Sequence, residues 1–360
     1  MRGQTNWNTL QALAEEHGVV WLLAEALAES GAIGSLPETA RRQLEWSRQR
    51  HERFALALTA EFFRIAEAFR AAGIASLVVK GPALAVQAHG DAASREFLDM
   101  DLLVRHTDVP RAVAAMERRG FALRTPLASA AKRAPGQFLF VREETRAIVE
   151  IHSERTLRYF VRPIPIEEFL ARSAGVAAAG GTIPALSPED TLIFICVHGS
   201  KHFWERLLWI ADVAGILARH PALDWDLVSS VARKTQTERM LRLGLWLARN
   251  VLGAELPRRP AAELDEDSGA HKLAEEIAAK ITAGEPASRM AWGRGLLRMR
   301  MCGGAARGAG YLLRLMFSPT EEDWGEARSP GPAWKQAVLR PLRLARKHRV
   351  EARGTGMGAD

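Results

Sequence analysis

From Gly73 the chain changes its hydrophobic period, and that change decides what it can fold into. Upstream, Leu and Ala recur at three- and four-residue spacings over 7–30 and 38–72, the signature of amphipathic helices, with "GAIGSLPE" separating the two. Downstream come short apolar runs divided by turn residues. "IASLVV" predicts a strand, "PALAVQAH" a helix, "LDMDLLV" a strand and "PRAVAAMERR" a helix that Gly120 ends. "FALR", "QFLFV" and "AIVEIH" are three further strands. This mixed order with one crossover helix points to a small α/β sheet of roughly 100 residues.

Beyond "AAAGGTIPALSPED" the strands disappear. "TLIFICVHGSKHFWERLLWIADVAGILARH" (191–220) reads as helix, and so does "WDLVSSVARKTQTERMLRLGLWLARNVLG". In "RMAWGRGLLRMRMCGGAARGAGYLLRLMF" the arginines fall among apolar residues at helical spacing, which fits an amphipathic packed helix better than a nucleic-acid surface. The stretches 255–270 and 317–333 read as connections. The expected fold class is α+β: an N-terminal helical region over 1–72, a small mixed-sheet domain over 73–180, a helical domain over 181–345 and a disordered basic tail over 346–360.

Composition narrows the classes. A chain of 360 residues has room for two or three domains, and 48% hydrophobic with 25% charged residues excludes bulk disorder. Lys and Arg number 49 against 42 Asp and Glu, a formal charge of +7 that favours anionic partners. The two cysteines, Cys196 and Cys302, lack metal-type spacing and read as buried thiols in a reducing compartment. No signal segment and no membrane span is recognisable, so a soluble, cytoplasmic protein is expected.

The strand "LDMDLLV" carries two carboxylates. Alternate strand residues share a face, so Asp99 and Asp101 point the same way with Cα atoms roughly 7 Å apart, while Met100, Leu102 and Val104 face the other side. Two such carboxylates repel unless a cation lies between them, and hard oxygen ligands suit Mg²⁺ or Mn²⁺. "VEIH" offers a third acid: Glu150 and His152 share one face, with Val149 and Ile151 on the other. If the two strands are neighbours, the three acids would hold two ions about 3.5 to 4 Å apart, as in-line displacement at phosphorus requires, with Glu150 placed to act as general base.

"LVV" ends in Lys80-Gly81-Pro82, where a helix begins. Gly81 permits close backbone approach, Pro82 suits a first helical position, and the helix N-terminal amides with Lys80 would face an anion. Arg95, in the loop "DAASREF", could fork onto phosphate oxygens. Later, His198, His202 and Glu205 fall at i, i+4 and i+7 of one predicted helix, with Lys201 nearby and Trp209 and Asp212 further along. Two readings of that face stand, a ligand-contacting face or helix packing. A zinc site there lacks an obvious further ligand.

The combination of "LVVKGPALA", "HGDAASREFLDMDLLV", "VEIH" and "LSPEDTLIFICVHGSKHFWERLLWIADV" resembles the uncharacterised nucleotidyltransferase family of the polymerase-beta-like superfamily, over about Leu77 to Val213. The resemblance implies a minimal nucleotidyltransferase sheet in which Asp99 and Asp101 bind metal and Glu150 completes the catalytic set. It also implies that His198 and its neighbours close over the cleft. Superfamily relatives usually have Gly-Ser where this chain has Lys80-Gly81, and the Lys-Gly form is typical of this branch. The chain departs from the family in having His89-Gly90-Asp91 where Tyr-Gly-Asp is common, and Leu98 where a small residue usually precedes the first aspartate.

The expected function is therefore transfer of a nucleoside monophosphate from an NTP, ATP foremost, to a hydroxyl or similar acceptor on a peptide, protein or small molecule, with release of pyrophosphate. Nucleotide contacts are expected from Lys80, Gly81, Arg95, His152, His198 and Lys201. The alternative is a non-catalytic nucleotide-binding or toxin-neutralising partner with the same fold. A long basic groove interleaved with aromatics is not evident, which disfavours a nucleic-acid acceptor.

Overall fold

In the computed structural model, residues 6–124, 136–153, 160–162, 164–284, 293–318, 335 and 337–345 are described. Helix α1 (Trp7–His17) stops at Gly18, whose φ of 69° and backbone N–H bonds to Ala14 and Glu15 close the helix, so the segment expected as one helix over 7–30 is two, with α2 (Val20–Glu29) following. Next is the long α3 (Glu38–Ala71), whose Leu58, Phe62, Ile65 and Phe69 recur at steps of four, three and four and form one buried stripe.

The sheet follows the expected order. Strand β1 (Ser76–Val78), helix α4 (Gly81–His89), β2 (Met100–Val104), α5 (Val109–Arg118), β3 (Ala122–Leu123), β4 (Gln137–Arg142) and β5 (Ala147–Ser153) match the sequence pattern closely. After α6 (Ile166–Ala171) comes a hairpin that the hydrophobic pattern does not signal, β6 (Ala174–Ala178) and β7 (Gly181–Ala185). Its strands, "AGVAA" and "GTIPA", are poor in β-branched residues, and its turn is Ala179-Gly180 with φ of 47° and 82°, a hairpin-type turn without the usual Asn or Asp. Because β7 pairs in parallel with β1, the sheet continues past residue 180, where the domain was expected to end.

Among the described residues the strands form one seven-stranded mixed sheet in the order β3-β4-β5-β2-β1-β7-β6. One face, with Val78, Met100, Leu102, Val104, Val149 and Ile151, packs on Phe62, Ile65 and Phe69 of α3 and on Val113 and Met116 of α5. The other face offers Leu77, Val79 and Leu103 to a second core built by α7 (Pro188–Lys201), α8 (Leu207–Arg219), α9 (Trp225–Thr235), α10 (Glu238–Leu252), α11 (Arg258–Asp265) and α12 (Ser268–Ala283). Helix α11 lies inside the stretch expected as a connection. The arginine-rich segment forms α13 (Gly293–Met301) and α14 (Ala305–Phe317), which bury Leu297, Met301 and Tyr311 in the same core, as an amphipathic packed helix should. Cys196 and Cys302 are buried free thiols. Among the described residues no helix is long and apolar enough to cross a membrane. The tail expected over 346–360, and nearly all of the 317–333 connection, lie outside the described residues.

Helices α4 and α8 touch backbone to backbone at Gly215, where an added Cβ would come 2.2 Å from the Ala88 carbonyl oxygen. Relief would require the two helices to separate. Gly215→Ala is therefore expected to cost roughly 1–3 kcal/mol or more, read as a lower urea midpoint; an unchanged midpoint would contradict this packing.

Candidate active site

The strand order makes β2 and β5 parallel neighbours, and their register sets Asp101 opposite Glu150 and Leu103 opposite His152. Met100, Leu102 and Val104 of β2 and Val149 and Ile151 of β5 go to the α3 face, so Asp101, Glu150 and His152 project together toward α7, on the side of Leu103. Ligand atoms of these three lie within 4.8 Å of one another, the one such metal-competent group among the described residues. Asp99 precedes the strand, partly buried, and is not part of that tight group, though burial first and then the nearby charges of Asp101 and Glu150 raise its carboxyl's pKa. The expectation that Asp99 and Asp101 are equivalent positions on one strand is thus corrected: the chain turns from the loop into the strand between them.

Asp101 is 1% exposed and its two oxygens have different partners. Lys80 Nζ lies 2.6 Å from Oδ2, and His152 Nε2 lies 2.6 Å from Oδ1 and 3.3 Å from Glu150 Oε2. The Gln137 amide donates to Glu150 Oε2 at 2.6 Å. Burial alone would raise the Asp101 pKa, but the Lys80 charge and then His152 outweigh it and hold the carboxyl far below the usual range. Burial disfavours the charged forms of Lys80 and His152; Asp101 above all keeps the lysine's pKa raised, and the bonds to Asp101 and Glu150 lift the histidine to about 9. The centre is an interlocked group of two cations and two carboxylates. His152, expected on the nucleotide, has Asp101 and Glu150 as its partners.

Lys80 stands at the head of α4. Gly81 follows at φ 59°, a conformation that favours glycine, Pro82 occupies the first turn, and no side chain caps the helix. The loop 91–99 between α4 and β2 is tied down at several points. Asp91 Oδ1 accepts from Ala93 N at 2.8 Å, Val20 N donates to Glu96 Oε1 at 3.3 Å, and His51 Nε2 meets Arg95 O at 2.8 Å. The Arg95 side chain is 5% exposed. Its guanidinium forks onto Asp212 of α8 at 2.8 and 3.0 Å and gives its remaining nitrogen to Glu96 O at 3.1 Å, while His89 meets the same Asp212 at 3.1 Å. Expected on phosphate, Arg95 is placed by the structure in a buried ion pair that anchors the loop.

The helix expected to run through 191–220 is broken. α7 ends at Lys201, and Phe203 and Trp204 both take φ of 56° before α8 begins. Such strain needs compensation, and Trp204 supplies it: the side chain is fully buried against Gly199 and Gly244, where any Cβ would come within 2.7 and 2.9 Å of its ring. His198, His202 and Glu205 therefore do not share one helical face, and Trp209 and Asp212 sit on a different helix. The rings of His198, His202 and Trp209 nevertheless converge, with centroids 4.7 to 5.5 Å apart. Burial lowers the pKa of both histidines, His202 to about 3 and His198 well below its ordinary value.

These pieces line two continuous spaces. A small inner pocket is bounded by Lys80, Asp101, Glu150, His152, His198 and Lys201. It opens into a cleft of about 840 Å³ whose walls are the loop 95–99, the turn between α7 and α8, and His51 and Phe54 of α3. The N-terminal helices as a wall, and Gln137, were missed from the sequence. The only signal for Gln137 was its alternation with Phe138 and Phe140 in "QFLFV".

The titrations predict a stability maximum near pH 6.5. His152 holds, up to about pH 9, a proton that the unfolded chain releases near 6.5, so its contribution is complete below 6.5 and lost as pH rises to about 9. The loss should not exceed about 3 kcal/mol. On the acid side, His198 and His202 stay neutral where the unfolded chain gains protons, so stability also falls as pH drops below 6.5. Thermal midpoints against pH should show both limbs, and His152→Gln should flatten the alkaline one; an undiminished alkaline limb in that variant would remove His152 from this account.

A family model described as "Uncharacterised nucleotidyltransferase" matches residues 3–253. No curated protein matches the chain. Among solved structures, lincosamide antibiotic adenylyltransferase LnuA with lincomycin bound is similar at 15% identity and TM-score 0.32, over 44% of this chain and 96% of that one. An antigenic nucleotidyltransferase-like protein from Paracoccidioides brasiliensis is similar at 12% identity and TM-score 0.31, over 51% of this chain and 92% of its own. Both likenesses are too loose to bear on the site.

Proposed function

The chain belongs to the uncharacterised nucleotidyltransferase family, and from that premise we propose that it moves a nucleoside monophosphate from an NTP, ATP foremost, to a hydroxyl or similar group on a peptide, protein or small molecule. The observation that carries this reading is the pairing of Asp101 with Glu150 on adjacent parallel strands, with Lys80 against the same carboxylate and a nucleotide-sized cleft above them. In the reaction, the acceptor oxygen forms a bond to the α-phosphorus and the bond from that phosphorus to the oxygen bridging to the β-phosphate breaks. Pyrophosphate leaves, and the acceptor's proton passes to Glu150 as general base.

The carboxylates fit a divalent cation: Asp101 and Glu150 lie close together with Asp99 alongside, and the His152 imidazolium bonded to the first two orients them rather than serving as a ligand. Mg²⁺ or Mn²⁺ held there by Asp99, Asp101 and Glu150 would supply charge neutralisation at the phosphate and a more acidic acceptor. Lys80 serves the triphosphate by exchanging its Asp101 partner for a phosphate oxygen at the uncapped head of α4, with Gly81 leaving the backbone accessible. His198 and Lys201 line the wall that faces Lys80 and contact the nucleotide from α7. Arg95 and His152 act through others: Arg95 holds the loop that carries Asp99, and His152 orients Asp101 and Glu150.

The test is incubation with each NTP and Mg²⁺ or Mn²⁺, following pyrophosphate release and looking by mass spectrometry for a one-nucleotide increment on candidate acceptors, the protein itself included. Release matched by an increment, and abolished by Asp99→Ala with Asp101→Ala, is the expected result. Activity that survives the double change would sink the site assignment. Thermal stabilisation by NTP and metal without turnover would favour the non-catalytic partner instead.

A further inference from the structure

Resting on the nucleotidyltransferase reading, we propose that Trp209, braced by His198 and His202, is the stacking surface for the nucleobase of the bound NTP. The indole is half-buried on the first turn of α8 and faces the cleft. His202 lies 5.2 Å from it at an interplanar angle of 37°, and His198 meets it edge-on at 5.5 Å and 90°. The two imidazoles are themselves 4.7 Å apart. Three rings from different elements are thus drawn together at a cleft wall, which the double left-handed turn at Phe203 and Trp204 makes possible. That strained turn folds α8 back so that Trp209 reaches His198 of α7 and His202 at its C-cap.

The position selects the base over the acceptor. His198 and Lys201 border both the inner pocket, with Asp101 and Lys80, and the outer cleft, whereas His202 and Trp209 border only the outer cleft. One wall therefore leads from the phosphate end to the rings, the order of groups in a nucleotide. Both imidazoles are held uncharged by burial, so the surface is aromatic rather than cationic and suits a planar neutral ring. Stacking of this kind tolerates any base, because every base has a π-face.

The test compares binding of ATP with binding of tripolyphosphate, which lacks the base, by calorimetry on the full chain with Mg²⁺. Trp209→Ala should weaken ATP by roughly 5- to 150-fold while leaving tripolyphosphate within about twofold, and Trp209→Phe should restore most of the loss. ATP affinity unchanged in Trp209→Ala overturns the assignment, and a raised acceptor KM in that case gives the rings to the acceptor. An equal loss for both ligands also overturns it, since the effect would then reach the phosphates or the fold. A wild-type chain that binds neither ligand defeats the nucleotide reading itself, which separates the two failures.

Discussion

Asp101→Asn is expected to leave the chain folded and to cut nucleotidyl transfer by on the order of 10³-fold. The amide keeps the volume of the carboxylate but not its charge, at a residue that touches Lys80 on one oxygen and His152 on the other. A divalent cation would lose one anionic ligand of the donor set, and Lys80 would lose the counter-ion that sets its position. Of the two carboxylates that remain, Asp99 lies outside the tight group and Glu150 is shared with Gln137 and His152, so neither can take over. The variant should also lose stability, since it leaves two largely buried cations with less compensation. His152 should then release its proton below its present value of about 9, which titration of the imidazole by NMR would record. Full activity in Asp101→Asn, or a His152 that still titrates near 9, would show that Asp101 is not the organising group.

Asp212→Ala should produce the largest stability change, about 3–5 kcal/mol, measured as a fall in the urea midpoint. Asp212 is 1% exposed and accepts two bonds from Arg95 and one from His89. Burial would raise its carboxyl's pKa, but the Arg95 charge first, and then the bonds from His89 and Arg95, hold it below the usual range. Alanine would strand the Arg95 guanidinium, itself buried, without a counter-ion. Asp212→Asn should cost less, because an amide oxygen can still accept one of these bonds. The loop 91–99 has no regular secondary structure and depends on this anchor, so activity should fall with the alanine change even where the protein remains folded. A cost below about 1 kcal/mol would mean that the pair is solvated and does not anchor the loop.

How far the site was legible differs from residue to residue. Asp101, Glu150 and Lys80 could be read because strand alternation and turn chemistry are short-range: each places a side chain on a face from its immediate neighbours. The same logic placed Met100, Leu102, Val149 and Ile151 in the core, where they are. Arg95 could not be read, because its partner is 117 residues away and nothing local distinguishes a loop arginine facing phosphate from one facing a buried aspartate. The β6–β7 hairpin was hidden by alanine-rich strands and an Ala-Gly turn. The break after Lys201 was hidden because apolar periodicity continues through it and no Gly or Pro lies between Lys201 and Leu207. What decides it is a tryptophan seated over two glycines, one of them on α10.

The sequence by itself determined the element types from β1 to β5, the α+β class, and the faces on which Asp101, Glu150 and their apolar strand neighbours lie, because φ/ψ preference and periodicity act within a few residues. Only the tertiary structure decided that β2 and β5 are neighbours in register, that Lys80 and His152 share Asp101, and that the rings of His198, His202 and Trp209 meet at the cleft. Those are pairings between segments far apart in the chain, set by which buried surfaces fit one another and which buried charges find a partner. No local pattern encodes them.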